Sequence, residues 1–307
     1  MTIQTGPRRD NVGRGILLAL SAILVFSTQD AVSKFLVQSD VSPYQMTMMR
    51  FWAFAAFSLI LAARRGGLRQ AFRSRHVGAQ IARGGLLVAD IWMYVLALTT
   101  VPLAVVQSIT LVYPLLVTLF AIPLLGEKVG VFRIAAVIAG FCGALVIVRP
   151  GGVPLDWGVG FAAGSGVAYA LYIVLTRKVS ADDSTTTSMV YTGVVGLAVS
   201  SAVGVFHWQM LDLTSFLLIG YIMLTGVAAH GMMILALSIA PASVLQPFNY
   251  TSLPWAIAIS LLIFHEAMDA VSLLGAAVIV GAGLVVMARE RIRKVPAIAE
   301  PALPGKE

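Results

Sequence analysis

The sequence predicts an all-α integral membrane protein, with ten transmembrane helices arranged as two inverted five-helix repeats. Three observations carry that prediction. The first is composition: of 307 residues, 59% are hydrophobic and only 11% charged, and the mean hydropathy is +0.90. A soluble domain carries about 25% charged residues, so this chain has more apolar surface than one water-facing core can hide. The second is an internal repeat. Ala97-Leu98 opens a segment containing Pro102, Gln107 and Glu127, and 139 residues later Ala236-Leu237 opens another containing Pro241, Gln246 and Glu266. The third is charge. Lys128 and Arg133 follow Glu127, whereas the turn at Glu266 has no Lys or Arg. A repeat with an odd number of spans sits upside down relative to its partner and inverts loop charge in this way.

Ten apolar stretches fall at about residues 13–37, 43–63, 79–98, 102–125, 130–148, 157–177, 186–206, 215–236, 243–264 and 269–288. Each approaches the ~20 residues a helix needs to cross hydrocarbon, and a β-barrel would show short alternating segments instead. The first stretch is too long for a cleavable leader and lacks a clear small-residue cleavage site. The division expected is a first repeat over 13–148, a second over 157–288 and a disordered cytoplasmic tail over 289–307. Arg149-Pro150-Gly151-Gly152 forms the joint between the halves.

Eighteen of the 21 Lys and Arg residues fall at one set of alternate span ends; Arg149 lies at the other, and Lys34 and Arg50 lie within spans. Under the positive-inside rule both termini are cytoplasmic. The basic runs are then topology determinants facing anionic lipid headgroups, so the net charge of +7 does not call for nucleic acid. The lone Cys142 excludes an internal disulfide and a cysteine metal cluster, and neither a metal nor a cofactor is expected.

Spans 4 and 9 carry prolines in nearly matching places, Pro114 and Pro254. Proline frees the carbonyl four residues earlier, so the pair reads either as static kinks or as hinges lining a pathway. Small residues four apart, Gly160/Gly164, Ala139/Gly143 and Ala277/Gly281, read as close helix packing.

Ionisable groups at membrane depth are costly and mark functional candidates. Asp30 and Lys34 are spaced i, i+4 and can pair on one face. Counting from span ends, Asp30, Arg50 and Asp90 share a depth of roughly 10–12 Å below one boundary. They form either a structural ion-pair network or the charged layer of a cavity. Tyr94 follows Asp90 by one turn. Gln107 and Gln246 are repeat mates, Asn249 lies one turn beyond Gln246, and His230 sits in span 8. Tyr113, Tyr169, Tyr172 and Trp255 lie too deep for interface anchors, so they either pack helices or line a cavity.

Ten spans in two halves, the segment from Ala97-Leu98 through Pro102 to Gln107, the proline-bearing span 4 and the Gly126-Glu127 turn resemble the drug/metabolite transporter superfamily. The chain is similar there to the EamA-type ten-helix exporters and, within them, to the YddG group of amino-acid exporters. The second copy departs from the pattern with His265-Glu266 in place of Gly126-Glu127. The resemblance covers about residues 13–288. It implies alternating access through a central cavity, export of small metabolites and residence in a bacterial cytoplasmic (inner) membrane.

A phosphate-rich substrate would want several cations at midplane, and a lipophilic cation an unpaired acid with aromatic walls. The mixed set above suits a zwitterion with an apolar side chain. Neutral or aromatic amino acids are therefore the expected substrates, with drug or other metabolite export as the alternative and a channel as a lesser one. Catalysis is not expected: His265-Glu266 lacks the second histidine of HExxH, and no GxSxG or phosphate loop occurs. A monomer is the expected oligomeric state.

Overall fold

The computed structural model describes residues 9–126, 130–149, 156–240 and 245–292. The turn at Glu127-Lys128, the joint at 150–155, Pro241 and the tail beyond Ile292 lie outside the described residues. Helices α1 (Arg9–Gln38), α2 (Pro43–Arg65) and α4 (Val77–Ala97) form the first three spans, with a one-turn helix α3 (Leu68–Ala71) between the last two. Span 4 is split into α5 (Leu103–Thr110) and α6 (Tyr113–Leu125), and α7 (Val131–Ile147) is span 5. In the second half α8 (Trp157–Val179), α9 (Thr185–Gly204) and α10 (Leu213–Ile239) are spans 6 to 8. Span 9 is a 3-10 turn over Gln246–Thr251 running into α11 (Ser252–Phe264), and α12 (Ala270–Ile292) is span 10. Among the described residues, nine of these spans are long and apolar enough to cross a membrane, and α7 is a shorter apolar helix. The fold is that of ten transmembrane helices in two inverted repeats.

Packing follows the repeat. The most extensive contacts join α4 to α8 and α1 to α10, two pairs that exchange when the halves are exchanged. The pairs α2–α9 and α7–α12 map onto themselves, and α4–α9 answers α2–α10. The backbone repeats too. Gly126 ends α6 with φ 70°, and His265, 139 positions on, ends α11 with φ 56°. A left-handed residue ends many helices and glycine adopts it without strain. In the second copy a histidine takes that left-handed position.

Spans 4 and 9 break where their prolines require. Pro114 and Pro254 sit in the first turn of α6 and α11, where no hydrogen bond from their own nitrogen is needed. The break in span 4 rests against α8: a Cβ on Gly166 would lie 3.5 Å from the Thr110 carbonyl oxygen.

Close packing of helices falls partly elsewhere than the small-residue spacing suggests. Gly143 and Gly275 mark the crossing of α7 and α12, where a Cβ on either would come within 2.7 Å and 2.6 Å of the other's carbonyl oxygen. Gly164 backs onto Met93, but Gly160 and Gly281 have nothing within 4 Å of an added Cβ. In the Arg-rich half the α7–α12 pair parts around an apolar groove lined by Ala139, Gly281 and Ala282, so spacing alone did not distinguish crossing from splay.

Candidate functional site

A cavity of about 580 Å³ lies at the centre of the bundle, lined from α1, α2, α4, α5, α6, α8, α10 and span 9. The long helices α1, α8 and α10 contribute stripes at three- and four-residue spacing, as one face of a helix must. On α1 the stripe is Ile23, Phe26, Ser27 and Asp30; on α8 it is Ser165, Tyr169, Tyr172 and Thr176; on α10 it is Met223, Gly226, His230 and Met233.

Asp30, Arg50 and Asp90 all line this cavity. Arg50 faces both carboxylates, yet no ion pair within 4.0 Å forms between them among the described residues. Ser165 Oγ donates to Asp90 Oδ1 at 2.6 Å. The charges therefore line the cavity without closing into a direct ion pair.

Below them the aromatic wall is ordered by ring contacts. Tyr113 meets Tyr169 edge-on at 4.8 Å and 82°, and Tyr169 stacks with Tyr172 at 5.8 Å and 23°. Both are preferred aromatic geometries. His230 Nδ1 donates to Gly226 O at 2.8 Å, and its ring lies against Phe26 and Phe54.

A directed hydrogen-bond chain joins the two broken spans. Tyr94 Oη donates to Gln107 Oε1 at 2.9 Å, Gln107 Nε2 to Ser252 Oγ at 3.0 Å, and Ser252 Oγ to Asn249 O at 2.7 Å. The Asn249 side chain in turn hydrogen-bonds Tyr113. The breaks in spans 4 and 9 thus share a polar connection through residues that themselves line the cavity.

Of the candidate site residues, Asp30, Arg50, Asp90, Tyr94, Gln107, Tyr113, Tyr169, Tyr172, His230 and Asn249 lie together on this one surface. Three do not join them on it. Lys34 is 1% exposed and donates to Glu266 Oε2 rather than pairing with Asp30. Trp255 is 41% exposed on the outside of α11. The backbone of Gln246 starts the 3-10 turn of span 9, and its side chain lies outside the described residues. Pro114 and Pro254 border the breaks without lining the cavity.

The structure adds residues that sequence reasoning passed over. Ser165, Ser252 and Thr110 line the cavity; on α8 the i, i+4, i+7, i+11 run of Ser165, Tyr169, Tyr172 and Thr176 was a readable polar stripe. Arg83, counted with the loop cations, is 2% exposed inside α4. It donates to Thr176 Oγ1 at 3.1 Å, to Thr192 Oγ1 at 2.6 Å and to Ser188 O, and lies over Tyr172. It ties the cavity wall on α8 to α9.

The EamA-like transporter family matches residues 13–149 and 156–288. The chain belongs to that family. It is thereby a membrane transporter of the drug/metabolite superfamily, and its relatives are transporters rather than enzymes. A riboflavin transporter of Vibrio cholerae serotype O1 is 28% identical over 87% of this chain and 90% of its own length. A riboflavin transporter of Rhizobium johnstonii is 28% identical over 91% and 93%. An S-adenosylmethionine uptake transporter of Rickettsia prowazekii is 21% identical over 90% and 93%. A crystal structure of another protein superposes with a TM-score of 0.61 at 19% identity, covering 90% of this chain and 98% of that one, a likeness of fold.

Proposed function

We propose that this EamA-family protein carries a polar metabolite with a planar aromatic ring system, of the size class of riboflavin, across the bacterial inner membrane. The observation that supports this reading is one cavity lined by both the Tyr113–Tyr169–Tyr172 cluster and the Asp30, Arg50 and Asp90 layer. A flat heterocycle finds aromatic faces and edges on one side. Its polar tail finds carboxylates, a guanidinium and amides on the other. A volume of about 580 Å³ is that of a pocket for a drug-sized ligand, and a single amino acid would leave much of it empty. Two relatives named as riboflavin transporters point the same way.

Neutral aromatic amino acids, the substrates expected from sequence, are the second reading. It is favoured by Arg50 lying opposite two acids, an arrangement that complements a zwitterion. On either reading the Arg-rich end is cytoplasmic, the carrier works as a monomer by alternating access, and spans 4 and 9 supply the hinges. We favour uptake, the direction in the name of the Rickettsia relative, over export. The test is substrate-dependent uptake by purified protein in proteoliposomes, with riboflavin, S-adenosylmethionine and tryptophan as competing solutes. Saturable riboflavin transport supports the first reading. Tryptophan transport that excess riboflavin leaves untouched overturns it in favour of the second.

A further inference from the structure

Toward the Arg-poor end the cavity is closed off by packed side chains on three helices. On α2 the seven residues Pro43–Met49, before Arg50, do not line it; on α8 the eight residues before Ser165 do not, and on α10 the ten before Met223 do not. At 1.5 Å per residue this is a plug roughly 10 Å or more thick, filled by Leu36, Val37, Leu98, Val101, Leu103 and their neighbours. On α8 the lining runs to Thr176, three residues from the Arg-rich end of that helix, while on α4 it reaches Tyr94, three residues from the Arg-poor end. The α7–α12 pair is tight at this end: backbone contact at Gly143 and Gly275 in the Arg-poor half, a groove in the other.

Among the described residues two ion pairs join the halves at this end: Arg149 with Asp269 at its exposed rim, and Lys34 with Glu266 within the plug. Lys34 on α1 reaches Glu266, in the turn between α11 and α12. The ammonium also lies over the Phe264 ring at 4.9 Å, and Ser260 Oγ donates to the same carboxylate oxygen at 3.3 Å. Lys34 is 1% exposed whereas Glu266 is 26% exposed.

We propose that Lys34 and Glu266 are positioning residues of the transport cycle, forming a latch that holds the Arg-poor end shut and parts each time the cavity opens there. The inference rests on the chain being an alternating-access carrier with that end outside, but on no particular substrate. A buried charge is tolerable while paired and costly alone. When the plug opens, both groups gain water in exchange for each other, so the pair is stable closed and separable open. An apolar lining in the same place would gain nothing on opening and would lose its burial.

The asymmetry of burial predicts unequal variants. Glu266→Gln leaves the Lys34 ammonium buried and uncompensated in the closed state and relieved by water in the open one, so it drives the plug open. Lys34→Met leaves a carboxylate that already touches solvent, and its effect is smaller. The double variant Lys34→Met/Glu266→Gln removes the charge conflict and closes the plug again.

The experiment places a cysteine at Ile91, on the cavity wall, in a Cys142→Ala background. A membrane-impermeant maleimide is applied to intact cells from outside, with no substrate present. The expected result is labelling of the Glu266→Gln protein at least tenfold faster than the parent, with the double variant returned to the parental rate or below it. A merely structural pair predicts additive damage: lower yield in both singles, still lower in the double, and unchanged labelling of the protein that folds. Equal labelling in parent and Glu266→Gln overturns the latch. If Glu266→Gln does not accumulate, the double variant decides: recovery of yield with labelling at or below the parental rate supports the proposal, and a yield below either single variant, or labelling faster than the parent, overturns it. Substrate identity does not enter, so failure here and failure of the riboflavin reading are separate results.

Discussion

Gly143→Ala places a methyl group against backbone. Its Cβ would lie 2.7 Å from Gly275 O, 3.0 Å from Ile279 Cγ1 and 3.2 Å from Ile279 N. Ordinary van der Waals contact begins at 3.4 Å, so α7 and α12 have to part by about 0.7 Å, and no flexible side chain can give way in place of the carbonyl. Overpacking of this kind costs about 1–3 kcal/mol. Gly281→Ala on the same helix pair is the control: it has nothing within 4 Å of its Cβ and gains the same alanine helix propensity, so the difference between the two variants isolates the clash. Gly275→Ala, 2.6 Å from Gly143 O, should cost as much as Gly143→Ala, and the double variant less than the sum, because helices already parted accommodate the second methyl. The assay is reversible unfolding of purified protein in detergent, followed by tryptophan fluorescence. A Gly143→Ala protein as stable as Gly281→Ala would refute the crossing.

Four further outcomes follow from the same geometry. Gly166→Ala should retain transport, since its Cβ meets the Thr110 carbonyl at an ordinary 3.5 Å, whereas Gly166→Phe should abolish it by filling the cavity at the span 4 break; initial uptake rates with matched expression decide. Gln107→Ala interrupts the chain from Tyr94 to Ser252 and should lose about 1–3 kcal/mol of unfolding free energy, together with transport, whereas Gln107→Glu should keep the Tyr94 bond and recover part of the stability. His265→Gly should raise stability by up to about 1 kcal/mol, because it relieves a left-handed histidine while keeping Glu266. At the loop between α8 and α9, burial alone would raise the Asp183 carboxyl, but Ser74 Oγ, the Gln80 amide and the Arg75 N–H outweigh it and hold it below the usual carboxylate range. With the folded value depressed, its contribution is present above the unfolded value near 4 and is lost as pH falls through the folded value; Asp183→Asn should flatten the stability profile across that acid window, as pH-dependent unfolding would show.

The order of spans, the inverted repeat and the depth of the charged layer were legible in the sequence because hydropathy, loop charge and helix rise are local properties. Asp30, Arg50 and Asp90 could be set at one depth from span ends alone. Which groups meet around that layer was not legible, because partner choice depends on how helices rotate and cross. Lys34 shows this best: i, i+4 spacing offered Asp30, but α1 turns Asp30 to the cavity and Lys34 one turn on into the plug, where Glu266 from the other half waits 232 residues away. Arg83 shows the converse. Sequence position groups it with Arg64, Arg65, Arg69, Arg73 and Arg75 as charge between spans 2 and 3, yet α4 begins at Val77, which carries the guanidinium inward against Thr176 and Thr192. Trp255 was placed at the right depth and on the wrong face, since depth is set by rise and face by rotation.

The central claim is that one cavity carries a flat, polar heteroaromatic solute between its tyrosines and its charged layer. Its most direct test is riboflavin uptake into proteoliposomes by the parent protein and by Tyr169→Ala, with Tyr169→Phe alongside. The account predicts saturable uptake in the parent, retention in the phenylalanine variant, which keeps both ring contacts, and a rise in KM of at least tenfold in the alanine variant, which loses them. Uptake that does not saturate, or an alanine variant with unchanged KM, would contradict it.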